Sequence, residues 1–196
     1  MKTGIIILAA GNSSRLGKPK QLLHYQGESL LEIVSKAAIQ SSCNPIIIVL
    51  GAYAKEISAA HRLNGPTYVV NYNWEKGMSS SIAVGMSAAL AHTKDLDQVI
   101  ISVSDQPFIS SEIIENLIKR QQESRKGIVS CSYAQTSGTP VLFRKKYFPQ
   151  LLSLHGNQGA KQLLKQYPED SSSLVFELGY IDIDTESDYN NLKLQR

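Results

Sequence analysis

The chain has 196 residues, 42% hydrophobic and 19% charged, with a formal net charge of +3. That balance argues against a disordered chain, and so small a charge argues against a nucleic-acid binder, which carries a much denser basic stripe. No apolar run reaches the ~18 residues of a membrane span, and the length suits one domain, residues 1–196.

The run Ile5–Ala10 follows Met1-Lys2-Thr3 and could mimic a secretion signal. The polar residues after it lack a small-residue cleavage pattern, so a buried first strand explains it better. Ser29-x-x-Glu32 is a capping box that opens a helix with Leu30, Leu31, Val34, Ala37 and Ala38 on its apolar side. Cys43 and Cys131 lie far apart with no C-x-x-C and are expected to be reduced, buried thiols of a cytoplasmic protein. A strand over Ile46–Leu50 and a helix over about 54–63 follow. A third helix begins near Ser79–Ser81, and a strand over Val99–Val103 comes next. A fourth helix after Ser110 carries Ile113, Ile114, Leu117 and Ile118 at helical spacing. Val141–Phe143 and Leu174–Ile183 read as further strands, Gly159–Tyr167 as a helix, and Thr185-x-x-Asp188 as the cap of a last short helix. The strand runs are continuous rather than alternating, as in a parallel sheet covered on both faces. Strand–helix alternation predicts an α/β protein, a three-layer α/β/α sandwich with right-handed crossovers and a mostly parallel sheet. One or two antiparallel strands are expected from the last third. The four histidines show no metal-ligand spacing, so a zinc site is not expected.

Ligands of open α/β sheets bind beyond the carboxyl ends of the strands. The loop after the first strand reads Gly11-Asn12-Ser13-Ser14-Arg15-Leu16-Gly17-Lys18-Pro19-Lys20, and the first 27 residues contain no carboxylate. Glycines that expose backbone N–H groups, together with converging cations, suit a polyphosphate. Five residues separate Gly11 from Gly17, and Pro19 follows Lys18, so this is not a Walker A loop. Ser13 stands where G-x-G-x-x-G needs glycine, so it is not a dinucleotide fingerprint either. Asp105 ends the strand after Val99 and faces the same crevice; magnesium takes one or two protein carboxylates and completes its shell with phosphate and water.

The string Leu8-Ala9-Ala10-Gly11-x-Ser13-x-Arg15-x-Gly17-x-x-Lys20 resembles the signature loop of the MobA-like nucleotidyltransferases, which have a Rossmann-like, glycosyltransferase-A-type fold. It is most similar to their molybdenum cofactor cytidylyltransferases: Ala10 stands where guanosine-using members usually have a second glycine. The resemblance implies that Leu8, Ala9, Ala10, Gly11 and Ser13 contact the nucleotide. It also implies that Arg15 holds the β- and γ-phosphates and that Lys20 neutralises charge at the α-phosphate. Asp105-Gln106-Pro107 resembles the family's magnesium-binding segment. Asp182-Ile183-Asp184-Thr185-Glu186-Ser187-Asp188 resembles its D-x-D-T-P-E-D string, with Glu186 in place of proline. In a strand Asp182 and Asp184 would project to one side; Asp184 is the expected second ligand of Mg2+, with Asp182 as the alternative. Gly77, Met78, Ser79 and Ser81 resemble the G-M-x-x-S segment that lies against the base. Gly138 and Pro140 resemble G-x-P-x-x-F, and Gly156, Asn157 and Gly159 resemble G-D-x-G-A-R, both near the acceptor; Asn157 and Lys161 depart from that last pattern.

The implied reaction moves a CMP unit from CTP to the terminal phosphate of a molybdopterin-type cofactor and releases pyrophosphate. Its partners would be the triphosphate, the phosphorylated acceptor, and a molybdoenzyme or its chaperone. No Ser/His/Asp triad is present, and a phosphate monoester needs none because it is already anionic. Three alternatives stay open: a sugar- or polyol-phosphate nucleotidyltransferase, a non-catalytic nucleotide- or cofactor-binding protein, and a nicotinamide-dependent oxidoreductase. The missing G-x-G-x-x-G weakens the last.

Overall fold

The structure is a computed structural model that describes residues 1–61, 63–156 and 159–194. In chain order the elements are β1 (Thr3–Ala9), β2 (His24–Tyr25), β3 (Glu28–Ser29), α1 (Leu30–Ile39), β4 (Ile46–Leu50), α2 (Ala54–Ala60), β5 (Thr67–Val70) and α3 (Met78–His92). They continue with β6 (Gln98–Val103), α4 (Ser111–Ser124), β7 (Ile128–Tyr133), β8 (Thr136–Arg144), α5 (Phe148–Leu152), α6 (Lys161–Gln166), β9 (Ser171–Val175) and α7 (Glu186–Leu194). Seven strands form one sheet in the order β5-β4-β1-β6-β8-β7-β9, while β2 and β3 pair apart from it. Within the seven-stranded sheet of the described residues, β8 runs against its neighbours β6 and β7 and the other pairings are parallel, while β2 and β3 pair antiparallel. This is the expected mixed, mostly parallel α/β/α sandwich.

The pleat of β1 explains the layers. Ile5, Ile7 and Ala9 join a core made with Leu31, Val34 and Ala38 of α1, Ile57 of α2 and Ile114 and Leu117 of α4. Ile6, Leu8 and Ala10 face the opposite way, onto Ile82, Met86 and Ala89 of α3 and Leu151 of α5. Burial of alternate residues on two opposed cores is what a continuous Ile/Val/Leu run encodes. The capping box of α1 is formed as expected: Glu32 N donates to Ser29 Oγ at 3.2 Å and Ser29 N to Glu32 Oε2 at 2.9 Å. Cys43 and Cys131 are free and buried. Among the described residues no helix is long and apolar enough to cross a membrane.

Strand order makes the site possible. The chain runs from β1 outward through β4 to β5, then returns to lay β6 on the other side of β1. The carboxyl ends of β1 and β6 therefore flank the switch point of the sheet, where such folds form a crevice. A third small core, Leu23, Leu30, Ile183, Tyr189 and Leu192, folds the end of the chain back beside the first loop.

Three expectations need correction. The strand over Leu174–Ile183 is only Ser171–Val175; a short 3₁₀ turn, Glu177–Tyr180, follows. The chain must turn there because Gly179 packs against the Tyr133 ring so closely that a Cβ would collide with it. Asp182 and Asp184 consequently lie outside any strand. Strands β5 and β7 were not expected, and Gly138-Thr139-Pro140 lies within the long strand β8 rather than before a short one.

Gly85 sits in the middle of α3, where a Cβ would come within 2.5 Å of Ile6 Cγ2 and 3.0 Å of Val49 Cγ2. In an exposed helix Gly→Ala would gain up to ~1 kcal/mol. Here overpacking, which costs ~1–3 kcal/mol, should outweigh that gain. Gly85→Ala is expected to lower stability in urea unfolding; a stabilised variant would show that α3 is free to shift off the sheet.

Candidate active site

The turn after β1 is shaped from beneath by a residue without an obvious sequence signal. Gln21 is fully buried, and its Nε2 donates to the carbonyls of Ala9 at 2.9 Å and Gly11 at 3.2 Å. Ser13 takes a positive φ of 49°, and its hydroxyl accepts the Lys20 backbone N–H at 3.2 Å. Its role in the described fold is to close the loop; Asn12 and Ser14 instead line the cavity above. Lys20 opens the short 3₁₀ turn Lys20–Leu22 and so stands on an anchored segment.

Three distant parts of the chain meet at the Lys20 ammonium. Its Nζ lies 2.5 Å from Asp105 Oδ2 and 2.7 Å from Asp184 Oδ1. Arg15 reaches the other oxygen of Asp184 at 2.6 Å. Asp105 lies just past the end of β6, with Ser104 between them, rather than on the strand itself. Asp184 is placed by what comes after it. Asp188 Oδ2 accepts the backbone N–H groups of Asp184 at 3.2 Å and Thr185 at 2.7 Å, and Thr185 Oγ1 receives Asp188 N at 3.2 Å. The last helix is thus capped by Thr185-x-x-Asp188, and its apolar residues dock it on Leu23 and Leu30. Glu186, found where the resemblance expects proline, pairs with Lys18 at 3.1 Å.

Two cavities share this cluster. One, of about 640 Å³, is lined by Leu8, Ala9, Ala10, Gly11, Arg15 and Lys20, with Gly77, Met78, Ser81 and Trp74 opposite. The other, of about 510 Å³, is lined by Gly138, Thr139, Gly159, Lys161, Tyr133 and Tyr180. Leu8, Lys20, Met78, Val103 and Asp105 belong to both walls.

Several expected contacts are turned elsewhere. Ser79 Oγ donates to the Gly156 carbonyl at 2.7 Å, tying the start of α3 to the Gly156 loop. Ser81 is buried and accepts from Asn71 Nδ2 at 3.0 Å. Pro140 is buried and does not line the second cavity, while its neighbours Gly138 and Thr139 do. Gly156 is exposed, at a positive φ of 59°. Asn157 lies outside the described residues. Asp182 lines the second cavity without an ion pair to Lys20. Sequence reasoning missed Gln21, Tyr133 and Tyr180. Tyr133 lies in a segment to which the sequence reading gives no element, and Tyr180 lies in the run read as a strand.

The two carboxylates fit a divalent cation by donor type, since hard oxygen donors suit magnesium or manganese. No cluster of three or more His, Cys, Asp or Glu side chains that could hold a metal occurs among the described residues. Asp105 and Asp184 would therefore share such an ion with substrate phosphate or water.

Fold and family make this protein a nucleotidyltransferase. Residues 5–171 match the MobA-like NTP transferase domain, and the chain belongs to that family. Nicotine blue oxidoreductase of Paenarthrobacter nicotinovorans is 33% identical over 172 residues, covering 83% of this chain and 81% of that protein. The crystal structure of Rv0371c from Mycobacterium tuberculosis H37Rv superposes with a TM-score of 0.84 at 28% identity, covering 100% of this chain and 99% of that one. A second structure of Rv0371c is a complex with manganese (TM-score 0.79, 26% identity, 100% of each chain). Molybdopterin-guanine dinucleotide biosynthesis protein A from Archaeoglobus fulgidus shares the fold, with a TM-score of 0.70 at 15% identity over 97% of each chain.

Burial alone would raise the Asp184 carboxyl, but the hydrogen bond and charge of Lys20, and then those of Arg15, hold it below its ordinary value of 3.8. Such a group contributes stability above its unfolded pKa and loses it as pH falls through the lower folded value. The stability difference between wild type and Asp184→Asn should therefore be present at pH 7 and shrink below pH 3.8. A difference that does not change with pH would mean the ion pairs add nothing to the fold.

Proposed function

We propose that the protein transfers a CMP unit from CTP to the terminal phosphate of a molybdopterin-type cofactor and releases pyrophosphate. The observation that carries this reading is the Lys20–Asp105–Asp184 cluster at the seam between two cavities, one walled by the glycine loop and the other by β8 and Tyr180. Nucleotide on the first side and acceptor on the second would meet at the cluster.

The chain's residues supply position and charge rather than a base. The turn at Ala9–Gly11 offers backbone to the nucleotide, and Arg15 and Lys20 bring two cations to the triphosphate. An acceptor phosphate oxygen is already anionic, so it can attack the α-phosphorus in line while the bond to pyrophosphate breaks. Arg15 and Lys20 then offset charge as it moves onto the departing pyrophosphate. Asp105 and Asp184 would hold Mg2+, which when bound neutralises phosphate charge and orients the phosphate oxygens. Asp184 is preferred to Asp182 because it shares Lys20 with Asp105.

The choice of cytidine rests on the resemblance of Leu8-Ala9-Ala10-Gly11 to cytidine-using members. The choice of a pterin is supported by the second cavity, whose lining includes two aromatic residues, Tyr133 and Tyr180, and the cation Lys161. The product would pass to a molybdoenzyme or its chaperone. A second reading, oxidoreduction, is raised by the name of the relative at 33% identity. It predicts NADH binding, which a fluorescence titration would detect.

Pyrophosphate release, measured with CTP, GTP, UTP and ATP with and without molybdopterin, tests the proposal. Release is expected with CTP plus molybdopterin. Release only with a sugar or polyol phosphate would replace the acceptor, and no release with any pair would overturn the transfer reading. Asp105→Ala should remain folded and lose roughly 100- to 1000-fold in turnover, the scale of removing one preorganised charge contact. Near-native turnover would sink the assignment of Asp105.

A further inference from the structure

Lys20 makes close contacts to both carboxylates assigned above to the metal. Its side chain is 13% exposed, against 17% for Asp105 and 32% for Asp184. The ammonium thus lies in a partly dried pocket, at contact distance from an oxygen of each acid. Arg15 covers the second oxygen of Asp184. Two cations therefore balance two anions, and the pair of acids keeps little net charge with which to attract a third cation.

A divalent ion bound by the same oxygens could not share them with an ammonium at 2.5 and 2.7 Å. Like charges at that range repel strongly in a partly buried site. Lys20 must move first, and its options are few. Its backbone is fixed by Ser13 Oγ, and the buried Gln21 follows it. The side chain can swing only within the two cavities it lines, and there it needs a new anion, since an unpaired buried charge is costly. A triphosphate beside the glycine loop provides one, and it would draw Arg15 as well.

We infer that Lys20 competes with the divalent cation for Asp105 and Asp184, and that a triphosphate relieves the competition by taking Lys20, so metal and nucleotide enter the site together. This rests on the reading of those two acids as metal ligands. Lys20 then has two roles: positioning charge at the phosphate, and keeping the carboxylates closed to free metal. Coupling of this kind is reciprocal, so bound metal also favours the phosphate-facing position of Lys20.

The test uses the full chain and Mn2+ alone, followed by the loss of its free-ion electron paramagnetic resonance signal at pH 7.5. Wild type is expected to bind free Mn2+ weakly. Lys20→Met, and independently Lys20→Gln, should bind it about 10-fold or more tighter, within the range of ordinary site–site coupling. Lys20→Arg, which keeps the cation, should stay near wild type. Adding Asp105→Asn to Lys20→Met should abolish the gain, which locates the ion. Binding by Lys20→Met and Lys20→Gln that is no tighter than wild type would overturn the inference, as would a gain that survives Asp105→Asn. Wild-type pyrophosphate release is a separate readout. Release without the Mn2+ gain sinks only the competition, and the Mn2+ gain without release sinks only the transfer reading.

Discussion

One ammonium held by two carboxylates organises this molecule. Lys20, Asp105 and Asp184 come from the first loop, the end of the sixth strand and the last segment before α7, with 85 and 164 positions separating Lys20 from its partners. Like charges on Asp105 and Asp184 would push those segments apart, so the cluster exists only because the rest of the fold brings a cation between them. Burial of alternate β1 residues fixes the sheet, the strand order brings the ends of β1 and β6 side by side, and the Leu192–Leu23 contact returns the tail. Charge and core are coupled: the apolar contacts hold the acids near each other, and Lys20 makes their proximity tolerable.

That division explains which parts of the protein are legible in its residues. The runs Ile5–Ala10, Ile46–Leu50 and Val99–Val103 are central strands buried on both faces, and the one polar residue among them, Ser102, is itself fully buried. Strand β5 is a short edge strand of exposed to half-buried residues, so its four residues carry little apolar signal. Strand β7 reads Ile-Val-Ser-Cys-Ser-Tyr, whose polar residues hide a mostly buried strand. Its ladder with β8 also shifts register between Ser130 and Cys131. The acids of the last segment were visible as residues, but their geometry was not. A strand would project Asp182 and Asp184 to one side, whereas with the turn at Gly179 and the Asp188 cap it is Asp184 that pairs with Lys20. The glycines and cations of the first loop are legible because their pattern is local in sequence. Gln21, which shapes that loop, is not, because its partners are carbonyls and any residue supplies a carbonyl.

The two cavities are built to act as one site. Ser79, at the start of α3, donates both its hydroxyl and its backbone N–H to the Gly156 carbonyl. Gly159 lies so near Met78 that a Cβ there would come within 2.8 Å of Met78 Sδ. The start of α3 therefore contacts Gly156 and Gly159, and Met78 belongs to the walls of both cavities.

The string Asp105-Gln106-Pro107 gains a physical reason from the same logic. Asp105 turns its carboxylate to Lys20. Gln106, almost fully buried, points the other way: its Nε2 donates to the Gly179 carbonyl at 2.6 Å, and its Oε1 accepts from Thr139 Oγ1 at 3.0 Å. Gly179 lies in the Glu177–Tyr180 turn that leads to Asp182 and Asp184, and Thr139 belongs to the β8 wall of the second cavity. One amide thus ties the segment after β6 to the segment carrying the partner acid and to the wall of the second cavity. Ile183 N adds a third link, donating to the Asp105 carbonyl at 3.1 Å. Glutamine suits this place because a single planar group must both donate and accept in a site with little water; a carboxylate there would offer no donor and would add charge beside Asp105. Neutral hydrogen bonds behind Asp105 and the Asp184 segment thus hold the two acids within reach of the one Lys20 ammonium that pairs with both.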